Sequence, residues 1–146
     1  MKEHQFTQSQ LIGQPLEEVF AFFSDPRNLT TITPPWLQFK ILTPEPIEMA
    51  EGLRIDYALR IHRIPMRWQS EITYWEPPYC FVDEQIRGPY QKWVHTHTFT
   101  RDSGGTRIAD DVRYAVFGGT VIRRLIESDI RKIFSFRRDK LAEIFA

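Results

Sequence analysis

Between residues 37 and 117 the apolar side chains recur at every second position, and turn-forming residues cut the run five times. The breaks are Glu51-Gly52, Ile64-Pro65, Glu76-Pro77-Pro78, Arg87-Gly88-Pro89 and Asp102-Ser103-Gly104-Gly105. They predict strands over 37–43, 53–63, 66–76, 79–87, 91–101 and 106–117. Connections this short pair neighbouring strands as antiparallel hairpins. After Gly118-Gly119 the period changes, and no Pro or Gly occurs through Phe145. There Ile122, Ile126, Ile130, Ile133, Leu141 and Ile144 fall on one stripe of a long helix.

The start of the chain reads differently. Residues 6–12 suggest a short strand. Pro15 then opens a helix with Glu17 and Glu18 in its first turn and apolar residues at 16, 19, 20 and 23. Ser24-Asp25-Pro26 ends it. Residues 27–32 suit a second short helix, closed by Thr33-Pro34-Pro35 because the residue before a proline avoids helical geometry. The expected class is α+β: about seven strands in a curved antiparallel sheet, two short helices after the first strand, and a long C-terminal helix. Packing the sheet on that helix buries both apolar faces.

With 146 residues the chain is expected to form a single domain, 1–146. Lys plus Arg total 19 and Asp plus Glu total 19, so the net charge is zero. That balance argues against nucleic acid and against anionic membrane surfaces as partners. The one cysteine, Cys80, excludes an internal disulfide and any multi-cysteine metal site. No apolar run is long enough for a membrane span, so stable insertion is not expected. Met1-Lys2-Glu3-His4-Gln5 lacks a signal-peptide core, and a cytoplasmic location is the economical expectation. The chain is 14% aromatic, with 11 Phe, 5 Tyr and 4 Trp. Rings build cores, and they also line pockets for apolar ligands.

Alternation assigns the faces. Trp93, His95, His97 and Phe99 share one side of their strand, and Ile108, Asp110, Val112 and Tyr114 share one side of the next. A two-residue turn at Ser103-Gly104 sets Phe99 opposite Ile108, His97 opposite Asp110, His95 opposite Val112 and Trp93 opposite Tyr114. Pairing 85 with 93 adds Phe81, Asp83 and Gln85 to the same face, with Asp83 beside His95. Upstream hairpins add Trp68, Ser70, Ile72 and Tyr74, with Ile55, Tyr57, Leu59 and Ile61. The result is an aromatic concave face with Asp83, Gln85, His95, His97 and Asp110 set into it. Such groups must pair with one another, with water or with a ligand.

A His opposite an Asp is a structural pair or a catalytic one. His-x-His on a strand also suits a metal, but no cysteine accompanies it and the acids already account for the histidines, so no metal or other cofactor is expected. A Ser-His-Asp triad lacks the Gly-x-Ser-x-Gly elbow that would activate a serine. Arg137 falls near the centre of the helical stripe. It either snorkels to a carboxylate or aims its cation into a cavity to hold a polar ligand head.

Specific segments resemble a known superfamily. They are Pro15-Leu16-Glu17-Glu18-Val19-Phe20, Asn28-Leu29, Thr33-Pro34-Pro35-Trp36-Leu37 and Phe81-Val82-Asp83-Glu84-Gln85 with Gly88-Pro89. Trp93-Val94-His95-Thr96-His97-Thr98-Phe99, Gly105-Thr106 with Asp110 and Tyr114, and Ile133-Phe134 with Arg137 complete the set. They look like a bacterial branch of the START-related SRPBCC superfamily. The resemblance implies the helix-grip fold and an apolar cavity between sheet and long helix, used for lipids, quinones or polyketides. It brings no agreed catalytic set.

The leading expectation is binding or carriage of a small hydrophobic molecule by Tyr57, Trp68, Phe81, Asp83, Gln85, Trp93, His95, His97, Phe99, Asp110, Tyr114 and Arg137. The first alternative is a polyketide cyclase/dehydrase-type enzyme, with His95 or His97 as general base and Asp110 or Asp83 orienting it. The second is a protein-interaction module with a vestigial cavity and no identified partner. In either case residues 31–37, with Trp36, are a candidate lid or contact surface.

Overall fold

A computed structural model describes residues 1–146. The elements run β1 (His4–Ile12), α1 (Leu16–Phe23), α2 (Arg27–Thr31), a 3-10 turn (Pro35–Leu37) and β2 (Lys40–Ile41), followed by β3 (Arg54–Ile61), β4 (Ile64–Glu76), β5 (Cys80–Arg87), β6 (Lys92–Asp102), β7 (Gly105–Ala115) and α3 (Thr120–Ile144). One seven-stranded antiparallel sheet results, in the order β1-β7-β6-β5-β4-β3-β2. The α+β helix-grip architecture anticipated from the patterning is the one observed, with α3 held against the concave face.

The β6–β7 register follows the turn chemistry. Ser103 and Gly104 both adopt positive φ, at 50° and 80°, the geometry of a two-residue hairpin turn that follows the strand twist. Trp93 faces Tyr114, His95 faces Val112, His97 faces Asp110 and Phe99 faces Ile108. On the other edge of β6, Asp83 faces His95 and Phe81 faces His97.

Four expectations need correction. The turn between β3 and β4 lies at His62-Arg63, not at Ile64-Pro65; both residues are left-handed, at φ 50° and 69°. Ile61 pairs with Ile64, so Pro65 faces Arg60 at the next step, where a two-residue hairpin asks no hydrogen bond of its missing N–H. The strand expected over 37–43 shrinks to Lys40–Ile41, because Pro34 and Pro35 launch a 3-10 turn that ends on left-handed Gln38. Tyr74 points outward and is 42% exposed. A bulge between Ile72 and Tyr74 adds one residue to β4, which flips the following side chains, so Trp75 takes the inner place opposite Phe81. Last, Ile122 and Ile144 are 45% and 37% exposed, because the buried centre of α3 is Ile130, Phe134, Arg137 and Leu141.

The apolar interior forms two bodies. One joins α1 to the sheet through Leu16, Val19, Phe20, Ile72, Phe81, Phe99, Ile108 and Leu141. The other joins α3 to the sheet through Tyr90, Val112, Tyr114, Ile130 and Phe134. Along β6 and β7, the polar residues His95, His97 and Asp110 lie between these two bodies. At the sheet corner, β1 crosses close over Gly105, where an added Cβ would sit 2.3 Å from the Ile12 carbonyl oxygen. Gly105→Ala must push the two strands apart, and it is expected to cost about 1–3 kcal/mol. An unchanged midpoint in urea denaturation would count against this close approach.

Candidate functional site

The long helix stands off the sheet and leaves a cavity of about 580 Å³. Of its 33 lining residues 20 are hydrophobic, which suits a mainly apolar ligand of drug-like size. The strands contribute Ile55, Tyr57, Leu59, Trp68, Phe81 and Trp93, and α3 contributes Ile126, Ile133 and Phe134. Trp68, Tyr90 and Trp93 pack edge-on or tilted, with ring centroids 4.8–5.5 Å apart.

Into this wall is set the polar layer of β5, β6 and β7. Register brings Asp83 level with His95 and His97 level with Asp110, but the short hydrogen bonds run diagonally. His97 Nε2 lies 2.5 Å from Asp83 Oδ2, and His95 Nε2 lies 2.8 Å from Asp110 Oδ1. The level pairs, His95 Nδ1 to Asp83 and His97 Nδ1 to Asp110, are each 3.8 Å. Diagonal neighbours on a sheet face lie within reach of a long side chain, and each imidazole is long enough to take the diagonal. The rings stack face to face, with centroids 3.6 Å apart, and Phe81 covers His97 at 4.0 Å.

Arg137 enters this layer from α3. It is 7% exposed, with Nη2 3.8 Å from Asp110 Oδ1. Its guanidinium carbon stands over the rings of Phe23 and Phe134, at 5.5 and 5.7 Å. Its head thus reaches a carboxylate, the first of the two readings from sequence, and Arg137 is also among the residues that line the cavity. Its Nε and His97 Nδ1 are buried without hydrogen-bond partners, an arrangement that costs free energy.

Charge in the layer is settled by this packing. Burial pushes the Asp110 carboxyl up, but Arg137 and the His95 hydrogen bond more than offset it, and Asp110 is held well below the usual carboxylate range. In Asp83 burial is likewise outweighed, chiefly by the hydrogen bond from His97, so its pKa also falls. Burial, aided by repulsion from His95, pulls His97 down to about 4 despite Asp83. At neutral pH a neutral His97 therefore faces an ionised Asp83, and its Nε2 must carry the donated hydrogen.

Asp83, His95 and His97 each bring one ligand atom within 4.8 Å of the others. These three could hold a divalent cation. Each carboxylate of the layer already accepts an imidazole N–H, and Arg137 supplies a cation beside Asp110.

Of the residues singled out from sequence, Tyr57, Trp68, Phe81, Asp83, Trp93, His95, His97 and Arg137 line the cavity. Phe99 and Tyr114 lie in the core behind it. Asp110 supports His95 from beneath. Gln85 is engaged elsewhere: its amide donates to the Tyr90 carbonyl at 2.8 Å and accepts the Tyr90 N–H at 3.0 Å, closing the β5–β6 turn. That clamp carries Tyr90 into the cavity wall, where sequence reasoning did not place it. Phe134 was also missed, although it lies on the same helical stripe as Ile130 and Arg137. The rim contributed by Phe22, Leu29, Ile32 and Trp36 comes from α1, α2 and the 3-10 turn. Trp36 packs edge-on against Phe136 on α3, with centroids 5.9 Å apart.

Comparison with known proteins places this geometry. A family model described as "Polyketide cyclase / dehydrase and lipid transport" matches residues 12–139. A Chromobacterium violaceum protein of solved structure superposes with TM-score 0.76 at 13% identity, covering 97% of this chain and 96% of that one. A Mycobacterium smegmatis protein gives TM-score 0.70 at 17% identity, with 96% and 89% covered. Major latex-like protein 151 from Panax ginseng gives TM-score 0.70 at 11% identity, with 98% and 97% covered. At these identities the likeness is one of fold. No curated protein matches the chain in sequence.

Proposed function

Because the chain belongs to the polyketide cyclase/dehydrase and lipid transport family, we propose that it binds and carries a small hydrophobic molecule with one polar end. The observation that carries this reading is the cavity of about 580 Å³, apolar over most of its wall, with Asp83, His97 and Arg137 among its lining residues as a polar end. A carbonyl, carboxylate or phenolate oxygen would accept from the Arg137 guanidinium, and the rings of Trp68, Trp93 and Phe81 would take the apolar body. Lipids, isoprenoid quinones and aromatic polyketides share this chemistry. An interior left open to this extent does not suit a self-filled, vestigial cavity.

The cyclase/dehydrase alternative needs His95 or His97 to take a proton. A base held neutral down to about pH 4 accepts protons poorly at neutral pH. Its Nε2 is tied to Asp83, and His95 Nε2 is tied to Asp110. These histidines are better suited to fixing charge in the cavity wall than to turnover, which favours carriage.

Native mass spectrometry of freshly purified chain should show a co-purifying small molecule. Thermal-shift screening with quinones, fatty acids and aromatic polyketides should then find compounds that raise the melting temperature. Ile133→Trp fills the cavity from the α3 side and is expected to abolish both signals while the chain stays folded. A ligand shift that survives Ile133→Trp would place binding elsewhere.

A further inference from the structure

The zero net charge conceals an uneven distribution. One end of the sheet holds the β3–β4 turn and the β7–α3 connection, and the first two turns of α3 lie beside them. On α3, Val121 is 80% exposed, with Ile122 and Leu125 beside it on the same side of the helix. Ile122 continues the row of Ile126 and Ile133 that lines the cavity, while Val121 and Leu125 stand on the outer face of the helix. Phe117 precedes them at 62% exposed, and Ile64 at the hairpin tip is 58% exposed. The two parts meet at the cavity rim, where His62 bonds Asp129 at 2.8 Å.

The carboxylates at this end are already engaged: Asp129 by His62, Glu127 by Arg131 and Glu3 by Lys92. Arg63 at the hairpin tip, and Arg124 on α3 beside Val121, keep no carboxylate partner. An apolar strip flanked by unneutralised arginines is the pattern that lies down on an anionic lipid surface. We infer that this end of the molecule, the β3–β4 tip with the first two turns of α3, docks the cavity mouth on anionic phospholipid bilayers. Val121, Ile122 and Leu125 enter the headgroup boundary, and the arginines meet phosphates. The inference goes beyond ligand carriage and stands without it, since docking does not require a filled cavity.

Co-sedimentation of the full chain with vesicles tests this. The chain is expected to bind phosphatidylcholine vesicles containing phosphatidylglycerol and not phosphatidylcholine alone, with binding falling as salt rises. Arg63→Gln with Arg124→Gln should weaken it about 25-fold, near fivefold per cation. Val121→Ser with Leu125→Ser should weaken it comparably at unchanged melting temperature, because both side chains are exposed. Arg107→Gln, at the opposite end of the sheet, should leave it intact. Absent binding, equal binding to neutral vesicles, or indifference to both pairs of substitutions would overturn the inference. So would a stable dimer that the apolar pair dissolves without affecting vesicles, which would assign the face to a second copy. The ligand assays on Ile133→Trp read the cavity separately, so failure here leaves the carriage reading intact.

Discussion

Asp110→Ala is expected to lower the stability of the folded chain by about 3–5 kcal/mol. The carboxylate is the common partner of His95 at 2.8 Å and Arg137 at 3.8 Å, and both of those side chains are buried. Removing it strands a guanidinium between the rings of Phe23 and Phe134 and leaves an imidazole N–H without an acceptor. An uncompensated buried charge costs far more than a surface ion pair contributes. Asp110→Leu combined with Arg137→Met removes both charges at similar volume and should recover most of the loss. The same double variant deletes the polar end of the cavity, so ligand-induced thermal shifts should disappear even as stability returns. Urea denaturation of the three proteins checks this. If Asp110→Ala costs under about 1 kcal/mol, Asp110 is not the common partner of His95 and Arg137.

Acid should destabilise the protein well before its carboxylates titrate. The folded chain keeps His97 neutral down to about pH 4, whereas an unfolded histidine takes its proton near 6.5. Between those values the unfolded state binds a proton that the folded state refuses, so stability falls as pH drops from about 6.5 to about 4. The gap is worth about 3 kcal/mol at its full extent. Asp83 and Asp110 extend the loss in the same direction. Their folded carboxyls resist protonation, so stability present above the unfolded carboxylate value near 3.8 is lost as pH falls below it. Denaturation midpoints at pH 7.5, 5.5 and 4.5 should descend in that order. His97→Gln, which cannot titrate, should flatten the curve between pH 6.5 and 4. A wild-type curve already flat there would remove burial of a neutral His97 from the account.

Register was readable in the chain because turn chemistry and polarity agreed. Ser103-Gly104 accepts the left-handed geometry of a two-residue turn, and a slip of one residue would have put Ala109 and Arg113 inside. The β3–β4 turn misled, because His62 and Arg63 adopt left-handed geometry without the glycine that normally announces it. Tyr74 misled for another reason. A bulge inserts one residue with no sequence mark of its own, and every later side chain of β4 changes face. The diagonal His–Asp bonds were equally hidden, because strand alternation fixes which face a side chain takes and not which neighbour it reaches.

The alternating run, its turn residues and the uninterrupted C-terminal stretch determined by themselves that this chain is an antiparallel sheet closed by one long helix. They also placed Asp83, His95, His97 and Asp110 on its inner face, because local periodicity is a property of the backbone and needs no distant partner. How far α3 stands from the sheet, and so whether the rings enclose about 580 Å³ or only one another, is set by packing between residues far apart in the chain. Only the tertiary structure decided that. It also decided that a chain of zero net charge gathers unpaired arginines beside an exposed apolar strip, since charge balance along the sequence carries no information about which cations find carboxylates in space.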